Sequence, residues 1–119
     1  MKKIVYTVCS ANHLAHCKTM ADSFIQHNPS YELYIILIDQ INGRFNLNSF
    51  DRYNILEISE LGVPNFEIMA AQYTVIELNC AMKPFVARWI FEKHQPAILL
   101  YIDSVSYTHL RAHETGRNL

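Results

Sequence analysis

The chain has 119 residues, of which 50% are hydrophobic, so it is long enough for one domain with a core and too short for two. Its formal net charge of -1, without a cluster of lysine and arginine, offers no surface for nucleic acid or for an anionic membrane. No apolar stretch has the length of a membrane span. We therefore expect a cytoplasmic domain with free, buried cysteines, without a nucleic-acid partner and without a transmembrane segment.

The first third of the chain predicts a strand, a helix and a second strand. Residues 3–9 are rich in β-branched and aromatic side chains, which predicts the first strand. Apolar residues then recur every three or four positions over residues 13–27, which predicts an amphipathic helix that Asn12 caps and Asn28-Pro29 ends. Residues 32–39 are almost all apolar, which predicts a second, buried strand. Because a helix joins the two strands, they should be parallel.

The middle of the chain predicts a loop, a short strand and a helix. Residues 40–48 contain Gly43 and three asparagines, which indicates a loop. Residues 54–58 fit a short third strand. Pro64 suits the first position of a helix over residues 65–72.

Pro84 is predicted to interrupt the long helical stretch that follows. Thr74 can cap a first segment over residues 75–82. Proline has no amide hydrogen for the carbonyl of Cys80, so we expect a kink or a restart at Pro84. The apolar pattern of the second segment ends near His94.

The last apolar run, residues 97–104 (AILLYIDS), predicts a central parallel strand. It is short, it follows Pro96, and it ends on Asp103 and Ser104. Continuous apolar character over such a length is typical of a strand covered on both faces. The predicted fold is therefore an α/β domain with a parallel, Rossmann-like sheet.

Polar residues follow three of these strands, and parallel strands bring them to one edge of the sheet. They are Cys9-Ser10-Ala11-Asn12 after the first strand, Asp39-Gln40 after the second, and Asp103-Ser104 after the last. The first cluster also lies at a helix N-terminus, where amides and the helix dipole favour an anionic ligand such as a nucleotide. No glycine lies between Lys3 and His13, so the NAD fingerprint and the P-loop are both absent.

Residues 105–119 break the pattern, because they have no apolar periodicity. Residues 105–115 (VSYTHLRAHET) are similar to one reading frame of a transposase adapter used in preparing sequencing libraries. We therefore expect Ser104 to be the last authentic residue and residues 105–119 to form no part of the fold. The alternative is a genuine disordered polar terminus.

Four stretches together resemble the N-terminal half of a GT-A glycosyltransferase, close to family 8 and its bacterial relatives. They are residues 4–14 (IVYTVCSANHL), 33–39 (LYIILID), 77–84 (ELNCAMKP) and 99–103 (LLYID). The resemblance implies that residues 1–104 form an incomplete nucleotide-sugar-binding domain, followed by a non-native or disordered tail over residues 105–119. It also implies an enzyme, cytoplasmic or peripheral to the inner membrane, that transfers a sugar from a UDP-linked donor to a hydroxyl of a glycan or another acceptor.

The resemblance further implies a divalent metal, Mn²⁺ or Mg²⁺, held by a D-x-D motif. Such an ion neutralises the charge that develops on the diphosphate leaving group. Asp103 would be the first aspartate, and the second would fall at Val105. The motif would then be cut in half, so we expect the metal site only in a complete protein and expect this chain to be inactive.

By the same resemblance, the donor nucleotide would meet residues at the sheet edge. Ser10 and Asn12 would contact the ribose or the base. Many family members carry an acidic residue in place of Ser10 and a tyrosine in place of His13, so this chain departs from the family pattern at both positions. Asp39 would belong to the uridine pocket, and Lys83 would contact the donor sugar or diphosphate. The donor-binding set is Cys9, Ser10, Ala11, Asn12, Asp39 and Lys83, with Asp103 for the metal and no catalytic residue assigned.

Structural interpretations stand beside these roles. Asn12 can be only a helix cap, Asp39 can begin a turn, and Lys83 can be a solvated surface lysine. Cys9, His13, His16 and Cys17 are four residues of types that can bind zinc. Their spacing matches no common zinc finger, so we do not predict a zinc site.

Two other functional classes share this pattern of strands. A nucleotidyltransferase also uses a sheet with paired carboxylates, but the glycine-rich loop that such enzymes carry after the first strand is missing. A non-enzymatic, receiver-like module needs an acidic pair after the first strand, where this chain has Cys9-Ser10. A nucleotide-binding α/β module without catalysis remains the general alternative.

Overall fold

The computed structural model describes residues 2–39 and 52–103, except for the side chains of residues 75 and 76. Its centre is a parallel sheet that pairs residues 3–6 with residues 98–101. Its four strands within those ranges are β1 (Lys3–Cys9), β2 (Glu32–Leu37), β3 (Asn54–Glu57) and β4 (Ile98–Tyr101). Their order is β3-β2-β1-β4, and all three neighbouring pairs are parallel. The predicted α/β fold with a parallel, Rossmann-like sheet is confirmed.

Helices cover both faces of this sheet. They are α1 (Leu14–His27), which follows a 3₁₀ turn (Ala11–His13), α2 (Phe66–Gln72) after a second 3₁₀ turn (Ile58–Leu61), and α3 (Val75–His94). One buried cluster unites α3 with one face of the sheet through Ile4, Tyr6, Val8, Tyr34, Ile36, Ile38, Leu78, Met82, Val86 and Ile90. The other unites α1 with the opposite face through Val5, Cys9, Leu14, Cys17, Ala21, Ile25, Leu33, Ile35 and Leu37. Alternate residues of each strand thus serve opposite faces of the sheet.

The strand that begins at Ile98 lies at the edge of the described sheet, so the prediction of a central strand over residues 97–104 is wrong for the described residues. β4 pairs with β1 alone, and Leu100 is 40% exposed. The central strand is β1, which pairs with β2 on one side and with β4 on the other. After β3, the chain passes through α2 and α3 and returns on the far side of β1.

Helix α3 continues through Pro84, so the predicted restart does not occur. At its beginning, Thr74 and Glu77 form a capping box, in which Thr74 Oγ1 accepts from the Glu77 amide at 3.2 Å and the Thr74 amide donates to Glu77 Oε1 at 2.9 Å. Met82 and Val86 flank Pro84 and are fully buried against the sheet. Burying two such side chains contributes about 1.5–3 kcal/mol each, which outweighs the roughly 3 kcal/mol cost of an internal proline.

Several predicted boundaries shift by one or two residues. β2 ends at Leu37, although the Ile38 amide still donates to the Cys9 carbonyl at 3.0 Å. Pro64 precedes α2 instead of beginning it, because Asn65 with φ 58° is the N-cap residue. The predicted loop over residues 40–48, Ser104 and the predicted tail over residues 105–119 lie outside the described residues.

The structure shows the state of the three cysteines and the character of the described helices. All three cysteines are free thiols, with Cys9 and Cys17 buried as predicted and Cys80 exposed. Among the described residues, none of the helices combines the length and the apolar character needed to cross a bilayer.

Replacing Pro84 with alanine should raise the free energy of unfolding by about 1–3 kcal/mol, because alanine restores a donor for the Cys80 carbonyl and has a higher helix propensity. Urea denaturation followed by circular dichroism measures the change. Pro64→Ala, outside the helices, is the matched control and should change little. A loss of stability in Pro84→Ala would contradict this account and show that the packing of α3 requires the geometry of proline.

Candidate functional site

The order of the strands creates a switch point between β1 and β4. The chain leaves β1 towards β2 and β3 and later places β4 on the opposite side of β1. In open parallel sheets, ligands bind outside the carboxyl ends of the strands at such a point. Ser10, Asp39 and Asp103, which follow β1, β2 and β4, lie at this edge, because the strands are parallel.

The turn after β1 is held by Asp39. Its carboxylate Oδ1 accepts a hydrogen bond from the Ala11 amide at 2.7 Å, at the start of the turn that leads into α1. The His13 amide closes the turn by donating to the Ser10 carbonyl at 3.0 Å. Neither Ser10 nor His13, the residues that precede the 3₁₀ turn and α1, makes a side-chain cap hydrogen bond. Asp39, which arrives from β2, therefore performs the capping that the sequence pattern assigned to Asn12.

The prediction of Asn12 as the helix cap is wrong, since Asn12 lies within the 3₁₀ turn and its side chain is exposed. The first helical turn begins at Ala11, with Ser10 as its N-cap residue, two residues earlier than the pattern indicated. An exposed amide at this edge keeps both its donor and its acceptor groups within reach of solvent or a ligand. Asn12 therefore remains a predicted ligand contact, with its capping role removed.

Cys9, Ser10 and Ala11 are buried, which limits what they can offer to a ligand. Cys9 packs beneath α1 in the same cluster as Cys17. Hydrogen bonding to Cys17, followed by burial, raises the pKa of the Cys9 thiol. The raised pKa favours the protonated thiol, which is a poor nucleophile. Contacts of these residues with a ligand would come from the backbone.

Lys83 and Asp103 meet at the other side of the switch point. The Nζ atom of Lys83 lies 3.8 Å from Oδ2 of Asp103, and the two side chains are 31% and 34% exposed. The same ammonium lies 4.4 Å from the ring centroid of Tyr101. The Ile102 amide donates to the Tyr6 carbonyl at 3.0 Å, which extends the pairing of β4 with β1 up to Asp103.

Two tyrosines support this ion pair. The rings of Tyr6 and Tyr101 meet edge to face with centroids 5.1 Å apart, and the Tyr6 hydroxyl donates to the Lys83 carbonyl at 3.1 Å. Burial raises the pKa of both phenols, and the Asp103 charge raises that of Tyr101 further. Both phenols are therefore neutral at neutral pH. Sequence reasoning missed these tyrosines, because the Tyr6–Tyr101 pairing follows from the strand order and only the strand register could have shown it.

Of the D-x-D motif that the resemblance implies for a complete protein, the described residues contain Asp103 alone. Within residues 2–39 and 52–103, no three His, Cys, Asp or Glu side chains form a group that could hold a metal ion. Mn²⁺ and Mg²⁺ need several oxygen ligands, whereas Asp103 has an ammonium beside it. Ser104 and Val105 lie outside the described residues.

Comparison of the chain with models of protein families, with curated proteins and with solved structures gives no match. The glycosyltransferase resemblance therefore stays a prediction. The fold and the side-chain geometry at the carboxyl edge are the observations from which a function can be argued.

Replacing Asp39 with alanine should lower the free energy of unfolding by about 1–2 kcal/mol, because the Ala11 amide loses its acceptor at a helix N-terminus. Asp39→Asn keeps an oxygen acceptor and should lose less. Urea denaturation measures both changes, and Glu32→Ala, exposed at the start of β2, is a control. Equal stability of Asp39→Ala and the wild type would mean that the 2.7 Å hydrogen bond contributes nothing to the fold.

Proposed function

We propose that this chain is the nucleotide-sugar-binding part of a glycosyltransferase and that it binds a UDP-sugar at the carboxyl edge between β1 and β4. The observation that supports the proposal is the presence of two exposed or partly exposed polar groups at the carboxyl edge of the sheet. They are the exposed Asn12 side chain, which follows β1, and the Lys83 ammonium, which lies beside Asp103 after β4. An amide side chain suits the ribose or the base of a nucleotide, and a cation suits its phosphates.

Each residue of the site has a distinct part in the proposal. Asn12 offers an amide to the ribose or the base, and Lys83 offers its charge to the diphosphate. Asp39 commits Oδ1 to the Ala11 amide, so a contact with uridine would fall to its other carboxylate oxygen. The backbone of residues 9–11 forms the floor of the site, because those side chains are buried. The sugar would pass to an acceptor hydroxyl, for which no catalytic residue is assigned.

The proposal includes a cytoplasmic location, which the three free cysteines support. It assigns no step to Mn²⁺ or Mg²⁺. The D-x-D resemblance supports such an ion, but the Lys83–Asp103 pair speaks against Asp103 as its ligand.

Calorimetric titration of the 119-residue chain with UDP and UDP-glucose tests the proposal. Both should bind. Asn12→Ala should weaken the affinity by about two- to tenfold, the equivalent of one hydrogen bond. Asn54→Ala is the matched control, because Asn54 is an exposed asparagine at the opposite, amino end of a strand.

Two results would contradict the proposal. One is the absence of UDP binding in the wild type, and the other is an equal loss of affinity in Asn12→Ala and Asn54→Ala. Tighter binding of UTP than of UDP-glucose would favour the nucleotidyltransferase alternative instead.

A further inference from the structure

Contacts on both sides of Lys83 fix its backbone and its ammonium. Its neighbour Met82 is fully buried against the sheet, which sets the rotation of α3 at this point. The Tyr6 hydroxyl donates to the Lys83 carbonyl, which ties this turn of α3 to the central strand. The ammonium then extends over the Tyr101 ring, where a cation–π contact holds it. The charge of Lys83 is therefore positioned at the carboxyl edge of the sheet.

The ion pair with Asp103 is of a kind that a ligand can replace. The 3.8 Å separation is longer than the 2.7–2.9 Å of a direct charge-assisted hydrogen bond, and both side chains are about one third exposed. Solvent-accessible pairs of this sort contribute little to stability. A diphosphate carries more negative charge and more acceptor oxygens than one carboxylate, so it can compete for the same ammonium.

The same pair disfavours a metal ion at Asp103. A divalent cation bound to this carboxylate would lie close to the Lys83 ammonium, and the two positive charges would repel each other. Lys83 and a metal ion would thus compete for one carboxylate.

We propose that Lys83 supplies the positive charge that neutralises the donor diphosphate, in place of a divalent metal, and that Asp103 is the counter-ion from which Lys83 separates when the diphosphate binds. This inference rests on the proposed nucleotide-sugar function and deepens it. The Tyr101 ring contacts the ammonium of Lys83, and the Tyr6 hydroxyl donates to its carbonyl.

Substitution of Lys83 and substitution of its partner Asp103 should change the affinity for UDP differently. Lys83→Met should weaken UDP binding by about tenfold or more, because a charge-assisted contact is lost. Asp103→Asn should leave UDP binding unchanged or tighten it by up to about fivefold, because Lys83 no longer has to leave a partner. A metal ligand at position 103 requires the reverse, since Asp103→Asn would then weaken binding and abolish its dependence on Mn²⁺.

The test is calorimetric titration of the full chain and its variants with UDP, uridine and inorganic pyrophosphate, each with Mn²⁺ and with EDTA. Lys83→Arg keeps the charge and should retain most of the affinity. Lys93→Met is the matched control for the lysine, because Lys93 also lies on α3 above an aromatic ring, that of Trp89. Glu92→Gln is the control for the carboxylate, because Glu92 pairs with Arg88 on the exposed surface of α3. Circular dichroism checks that each variant folds.

The expected result is UDP binding that Mn²⁺ does not change, that Lys83→Met weakens, and that Asp103→Asn does not weaken. UDP binding that requires Mn²⁺ and is lost in Asp103→Asn overturns this inference and leaves the proposed function standing. Pyrophosphate binding that depends on Lys83, without any binding of UDP, overturns the proposed function and leaves the diphosphate contact standing. Absence of binding by UDP and by pyrophosphate overturns both.

If Lys83→Met does not fold, Lys83→Arg and the salt dependence of the wild type decide the question. Affinity for UDP that falls with added salt, while affinity for uridine stays constant, supports a cationic contact to the diphosphate. Affinity for UDP that is insensitive to salt overturns it.

Discussion

The pairing of β1 with parallel strands on both of its sides determines the positions of the flanking strands and of the helices that cover the sheet. Residues 4–10 are all buried, because α1 covers one face of β1 and α3 covers the other. β2 and β4 then occupy opposite sides of β1, which creates the switch point. The carboxyl ends of the strands therefore present the turn after Cys9, the Asp39 carboxylate and the Lys83–Asp103 pair at one edge.

Two side-chain contacts fix the positions of the polar groups at this edge. Asp39 reaches from β2 to the Ala11 amide, so the start of α1 has a fixed place beside the sheet. The Lys83 ammonium reaches from α3 to Asp103 at the end of β4. Each contact joins two different elements at the carboxyl ends of the strands. The site therefore depends on the completed sheet, and its geometry should be lost before the core is lost when the edge strand is perturbed.

The bounds of several elements and the parallel pairing of β1 with β2 could be predicted from the sequence, whereas the position of β4 and the continuity of α3 could not. The bounds of β1 and the end of α1 at His27 follow from apolar patterns and from Asn28-Pro29, so both predictions are confirmed. The edge position of β4 depends on which strand it pairs with, and its apolar run contains no information on that choice. The continuity of α3 through Pro84 depends on burial of its neighbours against the sheet, which outweighs a local rule.

The central claim is that a nucleotide binds at the carboxyl edge of this sheet, and the position of amide chemical-shift changes in an NMR titration with UDP tests it most directly. The account predicts the largest changes at the turn of residues 10–12 and at residues 83 and 103. Amides at the amino edge, such as Ala97, which donates to the Lys2 carbonyl at 2.8 Å, should not move. Changes confined to the amino edge or to α2 would contradict the account.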